Sequence, residues 1–188
     1  MPSPQITNLA IVLGVMQLVK KLDLLDSNIV FYLRCLYIAS NALIMLSYFI
    51  IHLKIKQKND MTTLKYVETP GPLSGSHEPK LVTTTIKGYD QSELQKAIKG
   101  TLTGVAMMCV MHFWFKFTQP LVIQSILPLK SALESNVAQI HLFGKPASGD
   151  LKRPFKVTSM FGGTSGPDDS PQAIKAAEKV KVSGAKEE

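Results

Sequence analysis

The side chains able to ligate a metal or move a proton are few. The four histidines, His52, His77, His112 and His141, are scattered, and no His-Glu-x-x-His or comparable ligand spacing links them. No nucleophile, base and orienting group fall at a workable spacing either. The expectation is a protein that is not an enzyme and has no metal and no cofactor. Gly144-Lys145-Pro146 followed by Gly149 resembles a phosphate loop only superficially, because the Gly-x4-Gly-Lys-Ser/Thr order is absent. It reads as a basic loop.

Polar residues inside apolar runs carry more information. Arg34 and Asn41 interrupt one such run, and His112, Lys116 and Gln119, with Pro120 and Gln124 beyond, interrupt another. An ionisable group at bilayer depth costs several kcal/mol unless it is paired or faces water or protein. Arg34, Asn41, His112, Lys116 and Gln119 therefore outline a partly hydrated groove, which would conduct a small anion or receive the polar flank of a nascent membrane segment. In the plainer reading, Arg34 and Lys116 snorkel to the interfaces while Asn41 and His112 join helices by hydrogen bonds. Met107, Met108 and Met111, with Met45, offer a pliable apolar surface or simple packing. A second set is cationic: Lys54, Lys56, Lys58, Lys145, Lys152, Arg153 and Lys156 are candidates for contact with ribosomal RNA phosphates or lipid headgroups, or are plain topology determinants.

The elements that must position these residues follow from how apolarity is distributed. The 188 residues are 45% hydrophobic and 19% charged, with 21 Lys+Arg against 14 Asp+Glu. The apolar residues are pooled in long runs with the charges between them, which excludes a compact soluble enzyme. Cys35 and Cys109 lie inside such runs and read as small membrane-buried hydrophobes, not as a disulfide framework. No basic side chain precedes the first run and no cleavage site follows it, so no cleaved signal peptide is expected.

That run, Ile6 to Val19, covers roughly 21 Å at ~1.5 Å per residue, a short span or an interfacial helix. Ile29 to Leu53 is long enough to cross the bilayer, and the lysines after it place that flank in the cytosol. The polar stretch Asn59 to Asp90 holds turn signals at Pro70-Gly71-Pro72 and Gly75 and an alternating run, Lys80 to Lys87, suited to a strand. By itself it is too small to hold a core. Asp90 and Glu93 stand at capping-box spacing, so a helix is expected from near Gln91. Leu102 to Leu129 is expected to be a hairpin of two short helices, broken at the aromatic cluster Phe113, Trp114, Phe115 and Phe117, with Pro120 opening the second. From Phe161 onward the composition predicts disorder.

The expected fold is an all-α multi-pass membrane protein. It would have about three to four short transmembrane helices, a small cytosolic segment and a basic, partly disordered C-terminal tail. The expected divisions are 1–57 (membrane helices), 58–100 (cytosolic segment and helix), 101–142 (polar-containing hairpin) and 143–188 (tail).

Three blocks then resemble a known family: KNDMTTLKYVE at Lys58 to Glu68, KSALESN at Lys130 to Asn136, and HLFGKPASGDLKRPFK at His141 to Lys156, followed by Phe161-Gly162-Gly163. They look like the fungal inorganic phosphate transport membrane protein family, also described as the third component of the SRP-independent (SND) targeting route. The similarity covers nearly the whole chain and weakens at the N-terminus, in the Pro-Gly loop and over the last twenty or so positions. The resemblance implies a multi-pass endoplasmic reticulum membrane protein that helps target and insert secretory and membrane proteins. Its implied partners are the Sec61 translocon, the ribosome, other SND components, nascent clients and membrane lipids. The alternative is inorganic phosphate transport, direct or through biogenesis of the transporter, with Arg34, His112 and Lys116 as anion ligands. No catalytic residues come with the resemblance.

Overall fold

The computed structural model describes residues 4–22, 26–68, 80–158 and 164–184. His77, Asp23, the turn signals at Pro70-Gly71-Pro72 and Gly75, and Phe161-Gly162-Gly163 lie outside them. In chain order the elements are α1 (Pro4–Val19), α2 (Ser27–Lys58), β1 (Thr63–Glu68), β2 (Lys80–Thr85), α3 (Ile86–Cys109), a π-helical turn (Val110–Trp114), α4 (Gln119–Glu134), α5 (Asn136–His141), a 3-10 turn (Gly149–Leu151), β3 (Val157–Thr158), β4 (Thr164–Ser165) and α6 (Pro171–Gly184). The chain is mostly helical but not all-α. β1 and β2 form an antiparallel ladder from Thr63↔Thr85 to Glu68↔Lys80, and β3 pairs antiparallel with β4. Two compact units result, Met1–Lys54 with Glu93–Phe143 and Ile55–Ser92 with Gly144–Glu188.

In the first unit, α2 starts where the Asp26 carboxylate accepts from the Asn28 amide at 2.8 Å. It ends with Lys56 and Lys58 against the negative end of the helix dipole, and Asn59 at φ 43° turns the chain away. Among the described residues it is the one helix long and apolar enough to cross a membrane; α1 is apolar but shorter. Val15 and Val19 of α1, Leu33 of α2 and Val122 of α4 form a buried cluster, flanked by Ile11, Ile29 and Ile123. Lys130 of α4 ties the N-terminal helix down by donating to Asn8 at 2.8 Å, and it also reaches Glu134. The break between α3 and α4 falls at 115–118, within the aromatic cluster, and Pro120 occupies the first turn of α4, where a missing N–H costs nothing.

The second unit has a core that residues 59–90 lack alone. Residues 144–184 complete it. Tyr89 meets Tyr66 edge-on at 5.6 Å and Phe155 at 5.3 Å, and its hydroxyl accepts from the Phe155 amide at 2.8 Å. Arg153 grips Asp90 through two parallel bonds, Nε to Oδ1 at 2.6 Å and Nη2 to Oδ2 at 2.7 Å, with both side chains buried.

That pair corrects the expected helix start. Asp90 lies inside α3, its carboxylate held by Arg153, and the helix begins at Ile86, where the Thr85 hydroxyl caps it by accepting from the Gly88 amide at 3.0 Å. The expectation of disorder from Phe161 onward is corrected too. Asp168 exchanges two backbone hydrogen bonds with Val67 of β1, and α6 lies along β1 and β2, with Ala177 buried and Glu178 paired to Lys65 at 3.3 Å. The Ser170 hydroxyl caps α6 by accepting from Ala173. A sparsely apolar sequence folds here because a preformed ladder supplies the surface it buries.

Candidate functional site: an uncharged cleft among three helices

α2, α3 and α4 of the first unit line an open cavity of about 320 Å³. From α2 come Tyr37, Asn41 and Tyr48, at intervals of four and seven that put them on one face. From α3 come Ala97, Gly100, Thr101 and Gly104, whose small size makes the room; a Cβ built on Gly100 or Gly104 would meet nothing within 4 Å. From α4 come Gln124, Pro128, Ser131 and Ala132, with Ser135 just beyond. Pro128 has no N–H to give the carbonyl of Gln124, four residues earlier, so this wall of the cavity carries an acceptor the helix itself does not satisfy in the usual way. The Ser40 hydroxyl donates to the Ser125 carbonyl and fastens α2 to α4 beside it.

The lining carries no formal charge and is mostly apolar, with hydroxyls and amides set into it at a few points. Asn41 donates to the Tyr37 carbonyl at 2.9 Å, and the Tyr48 and Thr101 hydroxyls lie 3.4 Å apart. A second cavity of about 290 Å³, lined by Met16, Val19, Lys20, Gln119, Pro120, Ile123 and Gln124, opens between α1 and α4. Gln124 borders both.

The five residues expected to form one groove are therefore distributed over four places. Asn41 lines the larger cavity and Gln119 the smaller. Arg34 and His112 meet each other, with Nε donating to Nε2 at 2.9 Å, and the other ring nitrogen of His112 lies 3.2 Å from the Phe117 carbonyl. Lys116 is exposed at φ 58°, in the loop that brings Phe117 back over His112. Sequence reasoning missed Tyr37, Thr101, Gly104 and Ser131. A Gly-x-x-x-Gly pair facing a helix with an internal proline was the available signal.

Of the cationic set, Lys54, Lys56, Lys58 and Lys145 are exposed. Lys152 and Lys156 are exposed too but share Asp169 at 2.6 and 3.7 Å. Arg153 is a correction: only 8% exposed and held by Asp90, it presents no guanidinium to a phosphate. Lys152, and behind it Lys156, also hold the Asp169 carboxyl below its ordinary range. His52 is exposed and His141 buried, and no group of metal-ligating side chains forms among the described residues. Cys35 and Cys109 are free and exposed on the surface of their unit.

Comparison with known proteins gives the chain relatives but no structural precedent. It is 48% identical to SRP-independent targeting protein 3 of Saccharomyces cerevisiae over 188 residues, 99% of this chain and all of that one. It is 49% identical to an uncharacterized protein of Schizosaccharomyces pombe over 164 residues, 87% of this chain and 81% of that one. It is 32% identical to the SRP-independent targeting protein 3 homolog of the same organism, again over 87% of this chain and 84% of that one. No solved structure matches. The family model described as phosphate transport (Pho88) matches residues 2–185, and with these relatives it shows that the chain belongs to the Pho88 family.

Proposed function

We propose that this protein serves SRP-independent targeting at the endoplasmic reticulum membrane, and that the cavity among α2, α3 and α4 receives the polar flank of a client segment during insertion. The name of the Saccharomyces relative supports the targeting role. The observation that carries the insertion step is a small set of uncharged hydrogen-bonding groups, Asn41, Tyr48, Thr101, Gln124 and Ser131, in a mostly apolar lining. Such groups replace water for a passing polar segment without attracting one sign of charge. In this reading α2 crosses the bilayer, α1, α3 and α4 complete a multi-pass unit of three to four spans, and the exposed Lys54–Lys58 flank faces the cytosol. The Sec61 translocon, the ribosome and other SND components are its partners, with Lys54, Lys56, Lys58 and Lys145 as the contact set.

Direct phosphate transport fits less well, since the cavity presents no cation to an anion and Arg34 and Lys116 are not among its lining residues. The test is Gly104→Leu. Its Cβ enters open space, and leaving glycine favours the helix by up to about 1 kcal/mol, so the variant folds while its side chain fills the cavity. Insertion of SRP-independent clients into microsomes, read by a glycosylation reporter, is expected to fall severalfold. Normal insertion by Gly104→Leu and by Gln124→Leu would remove the cavity from the mechanism. Phosphate flux into liposomes holding the purified protein would support transport instead.

A further inference from the structure

One end of the first unit carries an arrangement the cavity does not use. Phe31 and Tyr32 of α2 precede Arg34 by three and two residues, and Phe113, Trp114, Phe115 and Phe117 follow His112 within five. All six rings are exposed, Trp114 at 82%. The Arg34–His112 bond brings the two groups to one level. A guanidinium has only donors, so His112 accepts at Nε2, carries its proton on Nδ1, and donates that proton to the Phe117 carbonyl. The neutral imidazole thus holds Nε and leaves the two Nη groups of an exposed Arg34 without a partner among the described residues.

The spacing along α2 sets the depth of this arrangement. Residues 35–53 contain no Asp, Glu, Lys or Arg. Twenty residues separate Arg34 from Lys54, about 30 Å of helix at ~1.5 Å per residue, which equals the hydrocarbon thickness of about 30 Å. Exposed aromatic rings at the same level as a cation are what the lipid headgroup boundary selects.

We propose that Arg34 binds the phosphodiester of a glycerophospholipid in the leaflet opposite the Lys54–Lys58 flank. His112 acts as its positioning residue and the six rings as a collar that fixes depth. This rests on the bilayer placement of α2 proposed above, and two separate measurements test the placement and the lipid site. Trp114 is the sole tryptophan, so its fluorescence in nanodiscs reports on the collar alone. Phospholipids brominated near the headgroup are expected to quench it more than those brominated near the chain end. Deep quenching, or none, overturns the placement and the lipid site with it.

The second measurement counts phospholipid retained on the detergent-extracted protein by native mass spectrometry. Arg34→Gln is expected to lower retention roughly tenfold or more, as loss of a charge-assisted bond does. Arg34→Lys keeps the charge without the fork and should lose most of it as well, which covers the case of an Arg34→Gln that fails to fold. His112→Ala gives a partial loss that His112→Asn restores. Shallow quenching with unchanged retention in both Arg34 variants would defeat the lipid site and leave the placement standing. Displacement of the lipid by inorganic phosphate would reassign Arg34 to a free anion and also overturn the proposal.

Discussion

At the scale of single residues, the most consequential interaction is the Arg153–Asp90 pair, since removing one partner leaves a buried charge uncompensated. Asp90→Asn or Arg153→Met is expected to destabilise the second unit by about 3–5 kcal/mol, while the double variant Asp90→Leu/Arg153→Met costs clearly less. Urea unfolding followed by tyrosine fluorescence checks both. Lys116 is the next test, because its left-handed backbone disfavours branched side chains. Lys116→Gly should leave the melting temperature near that of the parent, and Lys116→Ile should lower it by the equivalent of about 1–2 kcal/mol. Residue types alone identified the polar set, and they placed His112 and Arg34 among it. They did not pair them. A contact between residues 78 apart in sequence has no local signature. Arg153 shows the opposite failure, because a cation in a basic run looks solvated until its acid is found.

At the scale of elements, periodicity and punctuation were readable where the chain's neighbours are local. The long α2, the strand after Lys80 and the break before Pro120 follow from apolar length, alternation and the proline rule. β1, the true start of α3 and α6 were not readable, because each depends on a surface supplied from elsewhere in the chain. Pro128 makes a prediction at this scale. Pro128→Ala restores the missing donor inside α4 and is expected to stabilise the helix by roughly 1–3 kcal/mol. It should also lower client insertion by closing off the Gln124 carbonyl, so thermal melts and the microsome assay move in opposite senses.

The docking of α6 makes another prediction. The Asp169 carboxyl is held below its ordinary 3.8, chiefly by the Lys152 hydrogen bond and then by the Lys152 and Lys156 charges. A depressed folded value means the stabilisation is complete above the ordinary value and is lost as pH falls through the folded one. The stability gap between the parent and Asp169→Asn, read by circular dichroism, should therefore be constant near neutrality and close below about pH 4.

At the scale of the whole molecule, each compact unit is built from two separate stretches of chain. The order in which a ribosome delivers residues therefore matters. Asp90 leaves the ribosome 63 residues ahead of Arg153. At ~5–20 residues per second that is a wait of roughly 3–13 s, during which β1, β2 and the start of α3 exist without the partners that complete their core. The second unit is a late-closing seal, and chains terminated before Arg153 should be cleared by proteolysis even though every helix of the first unit has already been made.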